Sequence, residues 1–332
     1  MPDVVLLGDI NIDMVAQIPG YPVPGGEGVA NSVKMHTGGS AVNTAITLAR
    51  LGTDTGFIGC VGQDALAAQA LSDLDEAGVD HRYVQFETAV GTGLIYVVVT
   101  ADGERTMFAS RGANVFTRRS ELWQQYFQNT RWYHISGYAL LARPQQEAAL
   151  FALELAERQR CRISIDIGIE LAFRHRQQVL DLLPRLDVVF PSRDELAFLA
   201  PGMTAEDSLN YLLDQGVRAV VATRGKEGCI VATRKEQLHI PSFNVNVRDT
   251  TGAGDSFNSG VILGRLVGLS WPASAVLGNA TGALATSEPG AGANSIDVES
   301  VTRLLEKHLE QSGWRSWQNA LEEALAFLQA IQ

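Results

Sequence analysis

Cysteine is scarce in this chain. There are three in 332 residues, at Cys60, Cys161 and Cys229. They are odd in number, far apart and include no C-x-x-C pair, so no disulfide framework can be read from them. Each lies in an apolar run and reads as a small buried residue. Basic residues are also in the minority, with 26 Lys and Arg against 37 Asp and Glu and a net charge of −11. That balance argues against nucleic acid or an anionic membrane as a partner, since either would want a basic patch. A phosphate ligand would have to be held by local N–H groups, a few cations and metal, not by the overall field. No uncharged apolar run is long enough to span a bilayer, and no basic segment leads into a hydrophobic signal, so the expected compartment is the reduced cytosol. There is no internal repeat and no low-complexity segment.

The chain does have apolar substance. At 46% apolar it can bury a sizeable core, and 332 residues suffice for one large α/β domain or two ordinary ones. Its organising stretch is Asp249-Thr250-Thr251-Gly252-Ala253-Gly254-Asp255-Ser256-Phe257. The alternating segment Phe243 to Val247 before it reads as a strand, and Asn258 to Leu269 after it reads as a buried helix. A glycine-rich turn therefore opens a helix, where unpaired N–H groups and the helix dipole make a pocket for an anion, usually phosphate. Asp255 is unexpected there, because a carboxylate repels phosphate. It reads either as a helix cap or as a base that takes a proton from a hydroxyl, and the two roles are compatible. No Lys follows the glycines as a Walker loop requires, and the third glycine of a dinucleotide fingerprint would fall on Phe257. No G-x-G-x-x-G follows the first strand either, which disfavours a dehydrogenase.

Val4 to Leu7 reads as a buried parallel strand ended by Gly8. Asp9, Asn11 and Asp13 then alternate with apolar residues. They share one face, either solvated or a rim able to hold sugar hydroxyls. Residues 14–37 and 91–112 read as small strands outside the main sheet, with Asp102-Gly103 as a hairpin turn. Two such insertions suggest one small sheet built from both. Gly38-Gly39 enters a helix from Thr44 to Leu51, which is a turn or a close approach to a ligand. From Trp132 onward, strands and helices alternate, the rhythm of a doubly wound, mostly parallel sheet with helices on both faces. Ligands of such sheets bind beyond the carboxyl ends of strands, where Asp13, Asp166, Glu195, Thr223 and Asp255 all fall. Thr223 to Gly228 also reads as an ordinary hairpin turn, and Glu195 as an acidic residue in a helix's first turn. Near the end, Leu321, Ala324, Leu325 and Leu328 have helical spacing.

The nine residues from Asp249 resemble the signature D-T-T-G-A-G-D-x-F of the ribokinase-like (PfkB) carbohydrate kinases. Gly38, Gly39 and Asn43 resemble that family's earlier G-G-x-x-x-N. The resemblance covers about residues 3–300. It implies a kinase domain over 1–300, with a β lid from about 14–37 and 91–112, and a helical extension over 301–332. It implies transfer of the γ-phosphoryl of ATP to a hydroxyl, expected to be a primary hydroxyl of a small sugar. Asp255 would be the base, and the N–H groups of Gly252, Ala253 and Gly254 the anion hole. A carboxylate of ordinary pKa, about 4, is a weak base toward an alcohol, and it suffices where proton transfer is late.

The same resemblance assigns sugar contacts to Asn11, Asp13, Gly38, Gly39 and Asn43, with Arg111 as a cation beside the sugar turn. Nucleotide contacts fall on Thr223, Gly225, Gly228, Asn279 and Ala291. Magnesium is expected near Glu195 and Asp166, largely through water. The family's N-x-x-E is broken here, because Ser192 stands in place of Asn. Asp249, Thr251 and Ser295 are candidate ligands of a monovalent cation such as potassium. The lid implies a homodimer. The rival acceptor is a nucleoside, which needs an apolar wall that Met14, Met107, Phe108 and Tyr138 could supply. An idle sugar-binding regulator is disfavoured by the intact Asp255 and both glycine signatures.

Overall fold

Along the first strand the side chains alternate between two cores. Val4 and Leu6 point into one and Val5 and Leu7 into the other. Both sides of the strand are therefore covered, which is why it reads as an unbroken apolar run. The computed structural model describes residues 1–287 and 296–331. The first third of the chain holds β1 (Val4–Leu7), β2 (Asn11–Gln17), β3 (Ser32–Gly38), α1 (Ser40–Arg50), β4 (Thr55–Ile58), β5 (Cys60–Gly62), α2 (Ala65–Ala77), β6 (Gln85–Glu87), β7 (Gly93–Val99) and β8 (Arg105–Ser110). The middle holds α3 (Trp123–Phe127), β9 (Trp132–Ser136), α4 (Gln145–Arg158), β10 (Arg162–Asp166), α5 (Ile169–Arg174), α6 (Arg176–Leu182), β11 (Val188–Phe190), α7 (Arg193–Leu199) and α8 (Ala205–Asp214). The last part holds β12 (Ala219–Thr223), β13 (Cys229–Thr233), β14 (Gln237–Ile240), α9 (Ala253–Val267), α10 (Trp271–Ala285), α11 (Val298–His308) and α12 (Gln318–Ile331).

Eight strands form the main sheet, in the order β14-β13-β12-β11-β10-β9-β1-β4. The run from β4 to β12 is parallel, and β13 and β14 add an antiparallel edge. This is the doubly wound α/β sheet read from the strand–helix rhythm. Trp132, Phe190 and Val221 face the core shared with α1, α9 and α10; Tyr133, Val189 and Val220 face the core shared with α4 and α8. All three cysteines are buried, as their apolar surroundings suggested. No helix among the described residues is long and apolar enough to cross a membrane.

The two β-rich insertions combine into one separate sheet, in the order β3-β2-β7-β8. Its register puts His36, Asp13, Ile95 and Ala109 in one row and Met35, Met14, Tyr96 and Phe108 in the next. Adjacent rows point to opposite faces, so Asp13 and Phe108 lie on opposite sides of the lid.

One local reading differs from the structure. Phe243 to Val247 is not a strand: its apolar side packs on the core without pairing to a neighbouring strand. Thr223 to Gly228 is a hairpin turn between the antiparallel strands β12 and β13, and it lies at the mouth of a cavity as well. The extension is no separate body. Residue 300 falls inside α11, and Leu305, Trp314, Leu321, Leu325 and Leu328 enter the same core as α9 and α10.

Candidate active site

The glycine-rich turn opens α9 as its residue types require. Gly252 is the N-cap at φ 74°, a left-handed conformation that costs glycine little. Asp255 falls in the first helical turn, but it does not cap the helix: no side chain bonds to the cap N–H groups. Its Oδ2 accepts instead from Asn43 Nδ2 at 2.7 Å. Thr44 Oγ1 donates to the Asp255 carbonyl at 3.2 Å. The Ala253 amide bonds back to Thr250 O at 3.3 Å, a long bond that a phosphoryl oxygen can replace.

Asp255 has half-buried acidic neighbours. Asp166, at the end of β10, accepts from Ser40 Oγ at 2.6 Å, and the nearby Asn258 amide favours its charged form. Glu195 lies in the first turn of α7. Burial pushes the Asp255 carboxyl up to about 7, and the Asp166 charge pushes the same way; the Asn43 and Ser40 donors oppose them. Burial and Asp166 raise Glu195 too, and burial raises Asp166. Such crowding disfavours the charged forms and calls for a cation.

Ser192, the departure from N-x-x-E, is the N-cap of α7. Its Oγ accepts from the Glu195 amide at 3.3 Å, and Glu195 Oε2 accepts from the Ser192 amide at 2.8 Å. This capping box fixes the Glu195 carboxylate while the residue also lines a cavity.

Two cavities open here. One of about 490 Å³ is lined by Thr223, Gly225, Gly228, Phe243, Asn279 and Ala283 among others. The second, of about 340 Å³, is lined by Ser40, Tyr138, Asp166, Glu195, Asp255 and Asn258 among others. Thr223 and Gly254 line both. A Cβ on Gly254 would meet nothing within 4 Å, so the junction is open at the start of α9. In the larger cavity Asn279 is anchored, its Nδ2 donating to Pro241 O at 2.9 Å.

On the lid side, burial raises Asp13 to about 6. Its Oδ1 and the Oδ1 of Asn43 are buried without a hydrogen-bond partner. Gly38 is needed for this arrangement, since a Cβ there would come within 2.4 Å of Asp13 Oδ2. The close approach at Gly38 is thus to the protein's own carboxylate, and that at Gly39 is to the Asp9 backbone carbonyl. Asn11 Oδ1 accepts from Asn114 Nδ2 at 2.9 Å, and Asn114 in turn clamps the Ile10 backbone. Arg111 is held by Asp9 through two bonds of 2.8 Å and by Gln145 at 2.5 Å, and it lines neither cavity.

Asp249 and Thr251 are brought together, but by an arginine. Arg105, on the Asp13 face of the lid, donates to Asp249 Oδ1 at 2.5 Å and to Thr251 Oγ1 at 2.6 Å. Ala291 and Ser295 lie outside the described residues. Sequence reading passed over Ser40, Asn258 and Arg105. Ser40 lies inside the first signature, and Asn258 is three residues after Asp255 on the same helix face, so both were findable. Nothing local marks Arg105.

Comparison with known proteins adds to this geometry. The model of the pfkB family carbohydrate kinases matches residues 1–298. The chain is 30% identical to Fructokinase-1 of Zea mays over 320 residues, 92% of this chain and 98% of that protein. It is 32% identical to the ATP-dependent ribose-1-phosphate kinase of Halopiger xanaduensis over 292 residues, 88% and 94% of the two chains. An E. coli structure provisionally described as Ribokinase II, in complex with ATP and Mg2+, superposes with a TM-score of 0.83 at 25% identity. It covers 93% of this chain and 100% of its own. These are phosphotransferases with a hydroxyl acceptor, and the two glycine signatures, the lid and the sheet all lie within the matched span. The chain belongs to the pfkB family of carbohydrate kinases.

Proposed function

We propose that the larger cavity takes ATP, that the acceptor lies beneath the lid with its reacting hydroxyl reaching Asp255 at the wall of the smaller cavity, and that Asp255 accepts the proton of a primary sugar hydroxyl. The observation that carries this reading is the sharing of Thr223 and Gly254 by both cavities, with Asp255 one residue further into the smaller one. The γ-phosphoryl group would then pass across the first turn of α9. The N–H groups of Gly252, Ala253 and Gly254 stabilise its charge there. With its pKa raised toward neutrality, Asp255 is a better base than an ordinary carboxylate. Lid closure excludes water and limits hydrolysis of ATP.

The unpartnered Oδ1 atoms of Asp13 and Asn43 are acceptors, and sugar hydroxyls bring donors to them. A nucleoside is supported less well. Two of its four wall residues, Met14 and Phe108, stand on the lid face opposite Asp13. That apolar row, Met35, Met14, Tyr96 and Phe108, instead supports a homodimer through the lid, which Phe108→Glu should dissociate in sedimentation.

The donor set fits magnesium. Asp166 and Glu195 are half-buried, mutually repelling carboxylates, yet no cluster of three acidic, His or Cys ligands exists among the described residues. Magnesium commonly takes one or two carboxylates plus phosphates and water. Bound there, it would neutralise phosphate charge. A monovalent cation fits poorly, because the side chains of Asp249 and Thr251 already bond Arg105. No step in this reading needs one.

The test is ADP release with magnesium across ribose, fructose, 2-keto-3-deoxygluconate, tagatose, adenosine, inosine and pseudouridine, with Asp255→Asn alongside. Sugar-dependent turnover that disappears in the variant is expected. Turnover with nucleosides alone would overturn the acceptor. Turnover that survives in Asp255→Asn would overturn the base.

A further inference from the structure

The extension beyond residue 298 lies outside the family match, and the phosphoryl transfer just described gives it no role. It reaches the larger cavity indirectly. Phe243 lines that cavity, and the far side of its ring is covered by Trp314. The two rings are stacked, with centroids 4.2 Å apart and planes 21° from parallel. His308 meets Phe243 edge-on, with centroids 4.9 Å apart and planes at 90°. Its ring Nδ1 lies 2.8 Å from Leu304 O, which fixes the imidazole on α11. Phe243, His308 and Trp314 are all buried.

Phe243 needs such support. It sits on the segment after β14, which lies outside the sheet in the described residues. A ring there is placed by what packs behind it. The extension supports the opposite wall too. Glu323 of α12 accepts from the Ser270 amide at 2.7 Å and from Ser270 Oγ at 2.5 Å, where Ser270 caps α10. That helix carries Asn279, Gly282 and Ala283 into the same cavity.

We infer that Trp314 is a positioning residue for ATP: it holds Phe243 as a wall of the donor cavity, so the extension sets donor affinity without touching the acceptor. This rests on the larger cavity being the nucleotide site. Burying Trp314 also stabilises the core, as any tryptophan would. A purely structural role would disturb both substrates alike, whereas the stack on Phe243 singles out the donor.

The experiment measures KM for ATP, KM for the sugar and kcat in the full-length chain carrying Trp314→Leu, Trp314→Phe, Phe243→Ala or both Trp314→Leu and Phe243→Ala. Thermal melts identify the folded variants. Losing one aromatic pair should raise the ATP KM of Trp314→Leu roughly three- to tenfold. The sugar KM and kcat should stay within about twofold, and Trp314→Phe should restore most of the donor affinity. The double variant should be little worse than Phe243→Ala alone, because Trp314 acts through Phe243. If Trp314→Leu does not fold, Trp314→Met, which fills the space without a ring, replaces it.

An unchanged ATP KM in a folded Trp314 variant, with Phe243→Ala raising it, would overturn the role of Trp314 alone. An ATP KM unmoved by either substitution would overturn the nucleotide assignment of the cavity as well. Equal rises in both KM values would reduce Trp314 to a core residue.

Discussion

Asn43 Nδ2 lies 2.7 Å from Asp255 Oδ2, joining the two glycine signatures across 212 positions of chain. The helix that follows Gly38-Gly39 thus orients the carboxylate of the helix that follows Gly252. The bond favours the ionised form of Asp255, against burial and the Asp166 charge. The proposed base is therefore tuned from the acceptor side of the site.

A pH dependence follows. Asp255 must be ionised to take a proton, and its pKa is raised to about 7. kcat/KM should rise with pH and level off above about 7. Asn43→Leu removes a donor to the ionised form, so its profile should move to higher pH. A profile already flat from pH 5 upward would show that no such group limits the reaction.

Asp255→Asn should lower kcat by roughly 10²- to 10⁴-fold, the usual contribution of a positioned base. Its stability should move the other way. The folded pKa of Asp255 lies above the ordinary carboxylate value, so the folded protein binds the extra proton between about pH 4 and 7. Stability from this group is full below that window and declines as pH rises through it. Asp255→Asn carries no such penalty, so in the absence of ligand it should melt above the parent at pH 8 and close to it at about pH 4.

Asp13, on the lid, presents a buried, unpartnered Oδ1, and its charge acts on Asp255. Asp13→Ala should raise the sugar KM about 10- to 100-fold, the scale of a lost hydrogen bond to a charged group. The ATP KM should stay within about twofold. Initial-rate kinetics with each substrate varied in turn would separate these effects.

Gly254 offers a test in which fold and function separate. A Cβ there meets no protein atom within 4 Å, so Gly254→Ala should fold and melt like the parent. The added methyl would stand where the two cavities join, and turnover should fall at least about tenfold through misplacement of the transferred group. Normal turnover would mean that the phosphoryl path runs elsewhere.

Replacing potassium with tetramethylammonium at equal ionic strength should leave kcat within about twofold, because the guanidinium of Arg105 already serves Asp249 and Thr251. Strict potassium dependence would show that the loop binds the ion despite that contact.

Much of the architecture was legible in the chain. β1, α12 and the lid hairpin around Asp102-Gly103 stand where periodicity and turn residues put them. Phe243 to Val247 misled because alternation reports a buried side, and that side packs on helices instead of in a sheet. At the site, the residue types of the glycine turn and of Asp13, Asp166, Glu195 and Asp255 were readable. Their partners were not: Ser40 for Asp166, Asn43 for Asp255, Asp9 for Arg111 and Arg105 for Asp249 all come from distant segments.

By itself, then, the sequence determined the doubly wound sheet, the lid and the glycine turn at the start of α9. These depend on side-chain period, turn chemistry and helix ends, which neighbouring residues set. Only the tertiary structure decided how acidic the site is, which charge stands beside Asp249, and that Trp314 backs Phe243. Desolvation, ion pairing and ring stacking depend on which remote segments pack together, and no short stretch of chain contains both halves of such a contact.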